Sequence, residues 1–214
     1  MDEAESTRRI LSIYDFAAIG YDFEATLTGF STKSRIRREA IGSLEIKKDQ
    51  LVIDACCGTG LNFELLERHL GNGGKIIGVD LNSNMLRIAK RRCERKEWNN
   101  VELVNANVLE FNPGKLADGA LCTIAMGTIP EYGRAIDHLA KQLKPGGRFS
   151  IIDGKLSDRF PYRLLNRPYD LFAKSGGFDM KHRDLIAHIR SRYEVVFYRE
   201  YAGGFYYTVT FVGK

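Results

Sequence analysis

Apolar positions change period several times along the chain, and the changes predict alternating elements. Leu51-Val52-Ile53 is an unbroken β-favouring run, as in a strand buried on both faces, and residues 61–70 follow it with helical spacing. After the turn cluster Gly71-Asn72-Gly73-Gly74, Lys75-Ile76-Ile77-Gly78-Val79-Asp80 predicts a second strand that ends in an acid. Asn82 or Ser83 can cap the next helix, with Met85, Ile88, Ala89 and Cys93 inward and Arg87, Lys90, Arg91, Arg95 and Lys96 toward water. Strands are predicted at 101–104 and 121–126, then a helix at 132–143 ended by Lys144-Pro145-Gly146-Gly147, then a fifth strand at 148–153. Periodicity lapses over 155–181. A helix at 184–191 and strands at 193–201 and 205–212, joined at Gly203-Gly204, predict a closing antiparallel hairpin. Ahead of the first strand, 6–20 and 33–41 also carry helical spacing.

This alternation predicts an α/β fold: a doubly wound, mostly parallel seven-stranded sheet with an antiparallel last strand and an N-terminal helical cap. Ligands of such sheets sit at the carboxyl ends of the strands, near the point where strand order reverses. Residues 1–46 read as the cap or lid and 47–214 as the ligand-binding domain, with 155–181 a substrate-side insertion.

Composition narrows the class only modestly. With 214 residues and 44% hydrophobic content the chain suits one α/β domain with a sizeable core. The net charge of +5 is mild and fits an anionic substrate, a membrane surface, nucleic acid or simple solubility. Cys56, Cys57, Cys93 and Cys122 lack framework spacing and read as reduced thiols of a cytoplasmic protein. Met1-Asp2-Glu3-Ala4-Glu5 is acidic with no apolar run behind it, so no signal peptide or membrane span is expected.

The chemistry concentrates at the end of the first strand. Asp54, Gly58, Thr59 and Gly60 lie on a glycine turn between strand and helix, where backbone N–H groups and a carboxylate can surround a ligand. Asp80, about twenty residues on, stands where an acid accepts two ribose hydroxyls. Phe63 occupies the position of the third glycine of a dinucleotide fingerprint, and no Gly-Lys-Ser/Thr follows, so pyrophosphate and phosphate-loop sites are disfavoured. Asn107, after the third strand, can meet the edge of a purine.

Taken together, Val52-Ile53-Asp54 with Gly58-Thr59-Gly60, Asp80-Leu81-Asn82-Ser83-Asn84-Met85-Leu86, and Leu143-Lys144-Pro145-Gly146-Gly147-Arg148 resemble the class I S-adenosylmethionine-dependent methyltransferases. Within that class the likeness is to the ubiquinone/menaquinone methyltransferase-like subgroup, from about residue 50 to the end of the chain. The resemblance implies S-adenosylmethionine as cofactor, with contacts from Tyr14, Tyr21, Asp54, Cys56, Gly58, Thr59, Gly60, Asp80, Leu81, Met85, Asn107, Val108, Ala125 and Met126. In it, Asp80 holds the ribose, Met85-Leu86 pack beside the adenine, and Asn107 replaces a more usual aspartate at the adenine amine. Two Tyr-Asp pairs, Tyr14-Asp15 and Tyr21-Asp22, correspond to a segment lying over the cofactor, where a ring face would attract the sulfonium.

Methyl transfer is a direct displacement in which orientation supplies much of the acceleration, so a general base is optional. Tyr21, Asp153 and His182 are the candidate catalytic residues, with Asp22 and Lys155 as further proton acceptors or donors. His69, His138, His182 and His188 show no metal spacing. The stretch Met126-Gly127-Thr128-Ile129-Pro130 lacks the Asp/Asn-Pro-Pro-aromatic element of amine-directed base methylases, and no Pro-Cys nucleophile is present. A small or lipid-like acceptor is therefore expected, an RNA methylase or a noncatalytic cofactor-binding module being the alternatives. Residues 155–174 interleave Arg, Tyr, Phe and Leu. That composition suits either an ordinary cap with inward aromatics or a peripheral contact with a membrane.

Overall fold

The computed structural model of the protein describes residues 32–175 and 184–213. Helix α1 (Thr32–Ser43) precedes β1 (Leu51–Ala55), α2 (Phe63–Leu70), β2 (Lys75–Asp80), α3 (Ser83–Lys96), β3 (Val101–Asn105) and β4 (Ala117–Thr123). There follow α4 (Tyr132–Ala140), β5 (Leu143–Gly154), α5 (Asn166–Ser175), α6 (Leu185–Arg192), β6 (Val195–Tyr201) and β7 (Tyr206–Val212). One sheet takes the order β3-β2-β1-β4-β5-β7-β6. The first five strands pair in parallel, and β7 runs antiparallel between β5 and β6. Strand order reverses between β1 and β4, which opens a crevice at their carboxyl ends.

Alternation along β1 sets the site. Leu51, Ile53 and Ala55 enter the core under α4 and α6, whereas Val52 enters the opposite core with Phe63, Leu66 and Leu70 of α2. Asp54 shares Val52's face, so a carboxylate is carried into the side of the sheet covered by α1 and α2. Helix α1 joins that core through Ile36, Ala40 and Ile41. It is fixed at its polar edge by Glu39, which accepts hydrogen bonds from Arg199 and Tyr201 of β6.

Several expected bounds move. Strand β4 is Ala117–Thr123 rather than 121–126, because its pairing with β1 begins at Gly119 and the left-handed Ile124 (φ 54°) ends it. Ala125 and Met126 therefore lie in a turn, with a short 3-10 helix at Met126–Thr128. Helix α4 stops at Ala140, and β5 already starts at Leu143, which pairs with Ala117 ahead of the Pro-Gly-Gly sequence. The stretch after β5 is more regular than its sequence suggests: a 3-10 turn at Tyr162–Leu165 leads directly into α5. Residues 193–194 are not part of β6.

Candidate active site

The turn after β1 is a left-handed passage that glycine makes possible. Gly58 (φ 55°) and Gly60 (φ 77°) have positive φ, as does Cys56 (φ 53°). A Cβ on Gly60 would lie 2.5 Å from the Phe63 ring, and one on Gly78 of β2 would lie 2.7 Å from the same ring. Phe63 thus fills the gap between turn, helix and β2 that a third glycine would have left. At Gly58 a Cβ would meet nothing, so this side of the turn faces open space.

That space is a cleft with a cavity volume of about 180 Å³ between the ends of β1, β2, β3 and β4. Of the residues singled out from sequence, Cys56, Gly58, Thr59, Asp80, Leu81, Met85, Asn107, Val108 and Ala125 line it. Asp54 and Gly60 lie behind the wall. Met126 is fully buried in the core, and Leu86, expected beside the ligand with Met85, is buried under α3. Tyr14, Tyr21, Asp22 and His182 lie outside the described residues.

Asp80 is preset by backbone. Its Oδ2 accepts from Gly58 N at 2.8 Å and its Oδ1 from Asn82 N at 2.8 Å, which ties the end of β2 to the glycine turn. Burial raises its pKa, while N–H groups of Asn82, Gly58 and Leu81 hold it down. Each oxygen keeps lone-pair capacity beyond these bonds, and Asp80 lines the cleft. Asn107 sits opposite, its Oδ1 accepting from Leu109 N at 3.0 Å in a tight turn that fixes the amide plane.

A second cluster was not legible as such. Asn62, at the start of α2, makes no capping bond; its Nδ2 donates to both Asp54 oxygens (2.9 and 3.1 Å) and to Thr123 Oγ1 (3.1 Å). Arg37 of α1 donates to Asn62 Oδ1 (2.5 Å) and Thr123 Oγ1 (2.9 Å), and its side chain lines the cleft. Burial pushes Asp54 up to about 7, with Asn62 and then Arg37 opposing and Asp80 adding to the rise. Arg37 stands among Arg35 and Arg38 in sequence, and only its place beside buried Ile36 distinguishes it. Leu61, Ile124, Ile129 and Pro130, with Thr128 beside them, give the cleft a mostly apolar rim.

Asp153 is buried and holds backbone: its Oδ2 accepts from Gly127 N at 2.6 Å and its Oδ1 from Gly154 N at 2.8 Å. It anchors the turn whose next residues, Thr128 to Pro130, form the cleft rim. Two of the buried thiols are not activated. Cys57 is pushed far up by burial, and Cys122 by the hydrogen-bonded Cys56 thiol and then by burial. Among the described residues no group of three or more His, Cys, Asp or Glu could hold a metal, and no helix is long and apolar enough to cross a membrane.

A doubly wound sheet with one reversed strand next to its edge, an acid at the end of β2 and an open glycine turn after β1 has the fold of S-adenosylmethionine-dependent methyltransferases. Two of the solved structures that share it serve as examples. One is an Aquifex aeolicus SAM-dependent methyltransferase (TM-score 0.64, 17% identity, all of both chains covered). The other is the Streptomyces coelicolor geranyl diphosphate C-methyltransferase (TM-score 0.71, 14% identity, 85% of this chain and 79% of that one). The chain belongs to the ubiE/COQ5 methyltransferase family, whose model matches residues 1–187. It is similar to the demethylmenaquinone methyltransferase of Listeria welshimeri, 25% identical over 146 residues, or 68% of this chain and 62% of that protein. The chain therefore spans somewhat under two thirds of the length of such relatives.

Proposed function

We propose that this chain transfers a methyl group from S-adenosylmethionine to a small lipophilic acceptor of the quinol type. The observation that carries the cofactor half is Asp80, held by Gly58 and Asn82 in the wall of the cleft, beside a glycine whose missing Cβ leaves room for a ligand. The family and the demethylmenaquinone relatives support the acceptor half. The residues present fit the cofactor: Asp80 accepts from the ribose hydroxyls, Leu81, Met85 and Val108 enclose the adenine, and Asn107 meets its edge. Arg37 offers its guanidinium to the amino-acid carboxylate, and the Asn62 amide aims that guanidinium while satisfying Asp54.

When bound, the cofactor supplies an electrophilic methyl group on a sulfonium. The chain's own contribution is alignment, for which effective molarities are worth roughly 7–11 kcal/mol. Leu61, Ile129 and Pro130 exclude water along the rim and suit an apolar ring. Asp153 acts as a positioning residue, holding the 126–128 turn that carries this rim. An acceptor dissolved in the bilayer brings peripheral membrane contact through 155–174 into the same reading. Incubation with isotopically labelled S-adenosylmethionine and a short-tailed demethylmenaquinol tests the proposal. Labelled methylated quinol is expected; transfer of label to RNA but not to quinol would replace it with the nucleic-acid reading. Tight cofactor binding with no transfer to any acceptor would leave a binding module.

A further inference from the structure

The segment after β5 is bolted to the β6–β7 turn by one side and presents the other to solvent. Ser157 N donates to Asn166 Oδ1 and Asn166 Nδ2 to Ser157 O, both at 2.9 Å, which closes the loop that starts α5. Ser157 Oγ donates to Gly203 O at 2.6 Å, and Arg159 pairs with Glu200 at 2.9 Å. The Tyr169 ring lies 4.5 Å from that of Phe205, and Asp170 and Ala173 are buried on the same side. This mounting fixes what faces outward. Phe160 is 74% exposed, Leu164 67% and Leu171 73%, although a packed cap would bury them.

The charges between these side chains share one sign. From Arg159 to Lys174 the sequence holds four basic residues and a single acid, Asp170, which is buried. Arg163 and Arg167 are exposed beside the leucines, and neither makes an ion pair among the described residues. Apolar groups of this size are rarely left together on a monomer's surface unless something covers them. A second copy of the same patch would set Arg163 and Arg167 against their own kind, which disfavours self-association. An anionic lipid surface attracts those cations and accepts the apolar tips at the acyl boundary.

We infer that the face formed by Phe160, Arg163, Leu164, Arg167 and Leu171 docks on the surface of an anionic bilayer. The segment follows the carboxyl end of β5, the end of the sheet at which the cleft opens. Docking there brings the cleft to the lipid in which the acceptor dissolves; that consequence rests on the quinol reading, whereas the docking itself does not.

Flotation of the full chain with phosphatidylcholine vesicles, with and without phosphatidylglycerol, tests the inference. Binding to the anionic vesicles is expected. The double variant Arg163→Gln/Arg167→Gln should bind about 25-fold more weakly, at roughly fivefold per basic residue near such a surface. Leu164→Ser/Leu171→Ser should lose binding while keeping wild-type affinity for S-adenosylmethionine by calorimetry, which certifies that it is folded. No binding by the wild type, or equal binding by both variants, overturns the inference. So does a wild-type dimer that the leucine variant dissolves, because the patch then covers a second copy. Methylation of a short-tailed quinol without vesicles separates the two proposals. Transfer without docking overturns only the bilayer inference, and docking without transfer overturns only the quinol reading.

Discussion

The β1–β2 side of the cleft and the outer face of the 155–175 segment treat charge in opposite ways. At the cleft, carboxylates are matched atom by atom, the buried Asp54 by the Asn62 amide and the half-buried Asp80 by two backbone N–H groups. On the segment, the ionic pairs Lys155–Glu200 and Arg159–Glu200 serve the mounting, and the outward surface mixes arginines with exposed leucines and Phe160. On the proposed reading, the difference follows from what each region meets. A small ligand with fixed donors and acceptors requires preset geometry, because a loose site gives up the orientation on which transfer depends. A fluid lipid surface has no fixed geometry, so composition and exposure are enough.

The contrast is sharpest at Asp54. Its carboxyl is pushed from 3.8 to about 7, so the folded chain binds that proton more tightly than the unfolded chain does. The stability contributed by the neutral form is fully present below 3.8 and is lost as pH rises toward about 7, by up to about 4 kcal/mol. Urea midpoints across this window should fall with rising pH more steeply in the wild type than in Asp54→Asn. A parallel pair of curves would mean that Asn62 and Arg37 hold the carboxylate ionised throughout. Next in size is Asp80→Ala, expected to weaken S-adenosylmethionine binding by roughly 3 kcal/mol, about a hundredfold, since two hydrogen bonds to a charged acceptor are lost. Unchanged affinity in calorimetry would put the ribose elsewhere.

Smaller effects come from the packing beneath the turn and from its cationic corner. Gly60→Ala should cost about 1–3 kcal/mol of stability by overpacking against Phe63, and thermal melts of the variant measure it. A neutral outcome would mean that the ring moves freely, and that the turn is less fixed than the comparison with the exposed segment requires. Arg37→Ala should reduce cofactor affinity about tenfold. Arg37→Lys should recover only part of this, because the one ammonium would have to replace the bonds that Arg37 Nη1 makes to Asn62 Oδ1 and Thr123 Oγ1, and lacks the second nitrogen that the guanidinium can turn to a carboxylate.

The same contrast explains what the sequence made legible. Residues whose role is set by neighbours along the chain could be read: Gly58 and Gly60 by the turn they permit, Asp80 by its place at a strand end, Phe63 by the missing third glycine. The doubly wound, mostly parallel sheet with its antiparallel last strand followed from the alternation of elements. Arg37 and Asn62 could not be read, because their meeting depends on α1 packing over β4 and β5 and on an amide that caps nothing. The end of β4 was misplaced because Ile124 looks like strand in composition yet adopts a left-handed φ. Helix α5 was missed because Pro168 sits in its first turn among aromatic residues, a composition that reads as loop, although proline is tolerated there. Residues 155–174 were open to both an inward cap and an outward contact. The structure divides them, with Tyr169 and Ala173 inward and Leu164 and Leu171 outward.

The central claim, methyl transfer at a cleft organised by Asp80, is tested most directly by following label from S-adenosylmethionine into a short-tailed demethylmenaquinol, with wild type and Asp80→Ala side by side. The account predicts labelled methylated quinol from the wild type, and from Asp80→Ala a rate that drops about a hundredfold at subsaturating cofactor. Equal rates from both proteins, or label that never reaches the quinol, would contradict it.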